Sequence, residues 1–95
     1  MKKKIIITGG AGMMGTHSAF FYYRKKWSVT IVDNLYRKGS SENLKNIKKK
    51  ININHYNIDI SDFKKISNII KKIKPDVILH CAGQVAVTTS IKNPR

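Results

Sequence analysis

Acidic side chains are scarce in this 95-residue sequence: five Asp and Glu stand against 19 Lys and Arg, a formal charge of +14. Taken alone, such a surplus points to nucleic acid or an anionic membrane. Its distribution reads otherwise, because the lysines fall in short groups along the whole chain, at 2–4, 25–26, 48–50, 64–65 and 71–72. Solvated lysine faces, no specific nucleic-acid partner and at most a steering field for anionic ligands are the expectation. Cysteine is nearly absent. Cys81 stands alone, which excludes an internal disulfide and leaves no metal-ligand spacing. Long apolar runs are missing too. The basic start meets only three isoleucines before Thr8 and Gly9, too few for a signal-peptide core, and no stretch approaches the ~20 apolar residues of a membrane span. A cytoplasmic chain without a membrane partner is therefore expected.

What the sequence does have is one organising stretch, Ile5-Ile6-Ile7-Thr8-Gly9-Gly10-Ala11-Gly12-Met13-Met14-Gly15. A short all-apolar run suits a strand buried on both faces, and it feeds glycines and then a helix-capable segment. The glycines satisfy Gly10-x-Gly12-x-x-Gly15 and also Thr8-Gly9-x-x-Gly12-x-x-Gly15. One glycine permits a sharp turn with positive φ, another a close approach of main chain to a pyrophosphate, and the last tight packing of helix on strand. The free N–H groups of the first helical turn would then face the anion. A second strand, Ser28 to Val32, ends in Asp33, 18 residues beyond Gly15. A carboxylate there can accept both hydroxyls of an adenosine ribose and repels a 2′-phosphate.

The rest of the chain extends the alternation. Met13 to about Lys26 reads as a helix whose apolar residues cover more than one face, with Trp27 capping the core at its end and His17 as a packing residue. After Asp33 a polar loop runs to Ser40 or Ser41, an N-cap signal for a short helix ending near Ile47, with Lys48-Lys49-Lys50 as a solvated turn. Ile51-Asn52-Ile53-Asn54 alternates like a half-exposed edge strand. Ser61 can cap the next helix, with Asp62 in its first turn. That helix is the clearest amphipathic segment, with Phe63, Ile66, Ile69, Ile70 and Ile73 on one face, and Pro75 stops it. Asp76 to His80 is a fourth strand, Cys81-Ala82-Gly83-Gln84 a small-residue turn, and Val85 to Ile91 a loop and the start of a helix.

The order β-α-β-α-β-α-β with right-handed crossovers predicts an α/β fold, a Rossmann-type parallel sheet of strand order 3-2-1-4. Gly9 to Gly15, Asp33 to Ser40, Asp59-Ile60 and Cys81 to Gln84 then converge on the carboxyl ends of the strands. A complete doubly wound domain needs more strands than 95 residues allow, so residues 1–95 are expected to be the N-terminal portion of such a domain, the front part of something longer. A fourth strand left at an open edge would invite self-association.

Four motifs in order carry a family resemblance: Thr8-Gly9-Gly10-Ala11-Gly12-Met13-Met14-Gly15, Val32-Asp33-Asn34-Leu35, Asp59-Ile60-x-Asp62, and Pro75 to Gln84. Together they resemble the extended short-chain dehydrogenase/reductase family, which includes nucleotide-sugar epimerases and dehydratases. Residues 83–95, with Arg37-Lys38-Gly39, are most similar to the CDP-paratose 2-epimerases (CDP-tyvelose epimerases).

The resemblance implies tightly held NAD. Gly9, Gly12, Met13, Met14 and Gly15 would form the pyrophosphate turn. Asp33 would take the adenosine ribose, with Asn34 and Lys38 beside it. Asp59 and Ile60 would border the adenine, and Cys81, Ala82, Gly83 and Gln84 the nicotinamide side. It also implies that the family's catalytic Tyr-x-x-x-Lys pair and substrate domain belong to a region beyond Arg95, so no catalytic residue and no metal ligand is assigned here. A nucleotide-sugar substrate is expected only where that downstream part is present. Met13-Met14 in place of an aromatic–aliphatic pair, and no glycine in Lys26-Trp27-Ser28, depart from the family pattern. A small basic nucleic-acid-binding protein and a non-productive gene remnant are the competing readings.

Overall fold

The computed structural model describes residues 2–9, 11, 13–35, 39–59, 61–82 and 85–90, with backbone alone at 13, 14, 82 and 85–90. Its elements are β1 (Lys4–Thr8), α1 (Met13–Arg24), β2 (Ser28–Val32), α2 (Ser40–Lys50), β3 (Asn54–Tyr56), α3 (Phe63–Ile73), β4 (Val77–Ala82) and β5 (Val85–Ser90). The sheet order is β3-β2-β1-β4-β5. Its first four strands are parallel, as expected: Ile6 lies opposite Thr30 on one side and Ile78 on the other, and Thr30 opposite Asn54.

β1 is the centre because its isoleucines serve both faces. Side chains alternate along a strand, so Ile5 and Ile7 join Val29, Ile31 and Leu79 under α1 and α2, where Ala19, Leu44 and Ile47 meet them. Ile6 turns the other way and packs with Val32, Ile78 and Ile69 of α3. Helices thus cover both faces, the condition under which an all-apolar strand is stable. Trp27 seals the lower end of the first cluster, its ring 4.9 Å from Tyr22 in an edge contact and 5.6 Å from the Lys3 ammonium.

Several boundaries differ from the expected ones. α2 continues through Lys48-Lys49-Lys50 instead of ending at Ile47. Lysine is a good helix former, and three cations suit the negative end of the helix dipole. Its N-cap is Gly39, at φ 89°, with no side-chain cap, and Ser40 is a buried helical residue. β3 lies two to three residues later than Ile51–Asn54, because Ile53 is drawn into the core beside Leu44 and Ile47. Asp62, not Ser61, caps α3 by accepting the Lys65 N–H at 3.3 Å. Phe63 stays out of the apolar stripe and is 81% exposed, and His17 is also exposed.

The largest difference is at the chain's last described strand. Val85 to Ser90 forms β5, antiparallel to β4, with Leu79 opposite Thr88 and His80 opposite Val87. The β-branched residues Val85, Val87, Thr88 and Thr89 favour such pairing. The outer edge of β4 is therefore covered. The expectation of an open β4 edge, and of self-association through it, loses its premise.

Candidate functional site

The carboxyl ends of β1, β2 and β4 lie side by side, and most of the described candidate residues follow or end these strands. β1 leaves the sheet at Gly9, whose φ of 69° is left-handed. Its N–H donates to the Val32 carbonyl at 2.8 Å, so this donor is spent on closing the sheet end. A Cβ on Gly9 would run into the Cys81 carbonyl oxygen. Glycine is required here twice over, by the dihedral and by the neighbouring strand.

The chain then passes Ala11, fully buried, and enters α1 at Met13, with Gly15 also buried. Ala11 is tied on both flanks. Its N–H donates to Asp33 Oδ2 at 3.1 Å, and its carbonyl accepts from Asn43 Nδ2 at 2.9 Å. Asp33 itself sits at the end of β2, its N–H on the Tyr56 carbonyl at 3.1 Å and its Oδ1 accepting the Leu35 N–H at 2.7 Å. The Asp33 carbonyl is 3.0 Å from His55 Nε2, which must be the donor because a carbonyl only accepts. Asn34 follows, half-buried.

On the other flank, β4 brings Cys81 and Ala82 to the same end of the sheet. Burial pushes the Cys81 thiol above its ordinary pKa. Thr8, at the end of β1, is buried and lies 3.0 Å from Nδ1 of His80, which is exposed rather than packed away. Asp59 stands after β3, exposed. Its carboxylate is turned to the Ser61 N–H and hydroxyl, both at 2.9 Å, which hold its pKa below the usual carboxylate value. Here it organises the entry to α3. Gly12, Lys38, Ile60, Gly83 and Gln84 lie outside the described residues.

Sequence reasoning missed Asn43 and His55, and no local pattern announces either: an Asn within a helix and a His in a short strand are ordinary. One Tyr-x-x-x-Lys spacing does occur, from Tyr22 to Lys26. It lies at the wrong end of the sheet. Tyr22 packs on Trp27 and Phe21, and Trp27 precedes the first residue of β2, whereas Asp33 follows the last. A five-residue strand separates the two ends by roughly 16 Å. No group of three or more His, Cys, Asp or Glu able to hold a metal occurs among the described residues, and no helix there is long and apolar enough to cross a membrane.

The GDP-mannose 4,6 dehydratase family model matches residues 6–95. CDP-paratose 2-epimerase of Salmonella typhi is 40% identical over 91 residues, covering 96% of this chain and 27% of that protein. Among solved structures, the UDP-Glc/GlcNAc 4-epimerase of Campylobacter jejuni superposes with a TM-score of 0.77 at 29% identity, over 87% of this chain and 25% of the other. The UDP-glucose 4-epimerase of Bifidobacterium longum, solved in complex with NAD+ and UDP, gives 0.76 at 26% identity, over 85% and 24%. The chain thus spans about a quarter of the length of the relatives it matches.

Proposed function

Because the chain belongs to the GDP-mannose 4,6 dehydratase family, we propose that it is the NAD-binding front part of a nucleotide-sugar epimerase or dehydratase, of the CDP-paratose 2-epimerase type. The observation that carries this reading is the placement of the Asp33 carboxylate beside the glycine turn, joined to Ala11 at 3.1 Å. On this reading Asp33 is a ribose acceptor within one ligand's reach of a pyrophosphate turn.

The residues present fit the dinucleotide. An ionised carboxylate offers about four acceptor sites. Among the described residues Asp33 accepts from Ala11 and Leu35 alone, one bond on each oxygen, which on that count leaves acceptor capacity for the two adenosine hydroxyls. The opening turn of α1 carries no acidic residue of its own, so no side chain of that turn repels an anion at the positive end of the helix. Cys81, half-buried at the end of β4, offers a small border for a nicotinamide. When bound, NAD supplies a reversible hydride acceptor. This chain's own part is to bind and orient it: Gly9 turns the backbone, Asp33 selects the unphosphorylated ribose, and α1 presents its N–H groups. The substrate sugar nucleotide and the group that removes its hydroxyl proton belong, on this reading, to the downstream region that the longer relatives carry.

Titration with NAD and NADP by calorimetry tests the assignment. NAD should bind more tightly, and Asp33→Ala should weaken NAD and narrow the gap. Tighter binding of NADP would refute the role given to Asp33.

A further inference from the structure

We propose that Asn43 of α2 is a positioning residue for the anion-binding turn: it holds the Ala11 carbonyl while Asp33 holds the Ala11 N–H, and the turn is thereby set in shape before the cofactor's pyrophosphate arrives. The inference rests on the NAD reading above.

Ala11 is wholly buried and is gripped from two elements remote in sequence, Asp33 at 22 residues and Asn43 at 32. Asn43 is itself well fixed. Its backbone N–H donates to the Gly39 carbonyl at 2.9 Å, and the adjacent Leu44 and nearby Ile47 anchor α2 in the core. Asn is a poor residue for a helix interior because its amide competes with the backbone. Here that amide is instead used outside the helix, on the turn. A peptide group is planar and trans, with its C=O and N–H pointing opposite ways. Fixing both the N–H and the carbonyl of Ala11 therefore leaves that residue little freedom to reorient. A turn held this way does not have to be ordered at the moment of binding, and that ordering is what costs affinity in a loose loop.

The test uses two variants, Asn43→Ala and Asn43→Asp. The second keeps the shape of the side chain and suits the positive end of a helix, so it spares α2, but it loses the donor and sets a carboxylate against the Ala11 carbonyl. Two readouts are taken: the NAD dissociation constant by calorimetry, and amide hydrogen exchange at Ala11 without ligand. Both variants should keep a cooperative melt. NAD binding should weaken about five- to tenfold in Asn43→Ala, the worth of one hydrogen bond, and further in Asn43→Asp. Exchange at Ala11 should quicken in both. Unchanged Ala11 exchange overturns the clamp, and unchanged NAD affinity in variants of a chain that binds NAD overturns its bearing on the cofactor. Loss of the cooperative melt in both variants makes Asn43 a residue of fold stability and overturns the proposal equally. If the unaltered chain binds no NAD, the proposed function fails, and Ala11 exchange still decides the clamp.

Discussion

Asp33 and Ala11 meet across 22 residues of sequence, the carboxylate of one accepting the backbone N–H of the other at 3.1 Å. The residue that would recognise the ribose is thus also part of the scaffold of the turn that would recognise the phosphates. Its replacement should be felt twice. Asp33→Ala should lower stability by about 1–3 kcal/mol through the loss of two hydrogen bonds to a carboxylate, besides weakening NAD. Asp33→Asn, which keeps one acceptor oxygen, should fall between. Denaturant melts alongside NAD titrations would separate the two effects.

The glycines of the two left-handed turns should differ in cost. Gly9→Ala meets both an unfavourable φ of 69° and the Cys81 carbonyl, and should destabilise by more than about 2 kcal/mol or prevent folding. Gly39→Ala, at φ 89° in open space, should cost only the left-handed strain, about 1 kcal/mol. Equal losses would show that the contact with β4 is unimportant.

Two lysines occupy positions that favour glycine. Lys26 at φ 71° lies in the turn just past α1, where the resembled family often carries glycine, and Lys74 at φ 55° is the C-cap of α3. Lys26→Gly and Lys74→Gly should each raise stability by about 0.5–1 kcal/mol, a few degrees in a chain of this size. A lower melting temperature for both would contradict the left-handed assignment.

Cys81 should behave as a partly buried thiol. Its pKa is raised by desolvation, so near neutral pH a thiol reagent should label the folded chain more slowly than the urea-unfolded one. The sign of the stability effect follows. The folded state favours the protonated thiol, so its contribution is full below the ordinary thiol value of 9.0 and is lost as pH rises beyond it. Cys81→Ser should remove that alkaline loss.

Much of this was legible in the sequence because it rested on strong local patterns. Ile5-Ile6-Ile7 can only be a strand covered on both faces, the Ile66–Ile69–Ile70–Ile73 spacing can only be a helix with one apolar side, and Asp33 is placed by the strand it ends. What escaped depended on tertiary competition. Whether Ile53 joins a strand or the core, whether Lys48–Lys50 extends a helix or turns, and whether Val85–Ser90 pairs with β4 are decided by what each segment finds to pack against. Asn43 and His55 escaped because their partners are backbone groups of distant segments, which leave no pattern around the residues themselves.

Catalysis is expected to need more than this chain. Tyr22 and Lys26 have the family's spacing but lie at the opposite end of the sheet from Asp33. Hydride removal from a sugar needs a base within hydrogen-bond reach of the hydroxyl. Incubation with NAD and a CDP- or UDP-sugar should give no epimer and no cofactor reduction, and Tyr22→Phe should change nothing. Turnover that is lost in Tyr22→Phe would contradict this placement.

The most direct measurement is a backbone amide NMR titration of the isotope-labelled chain with NAD. The account predicts that shifts concentrate at the carboxyl ends of the strands, at Gly9, Ala11, Asp33, Asn34 and Cys81, while Lys3, Lys25 and Trp27 at the opposite end stay still. Shifts centred on those lysines and Trp27, with Gly9, Ala11 and Asp33 unmoved, would mean that the chain meets NAD only as a polyanion and would contradict the proposed site.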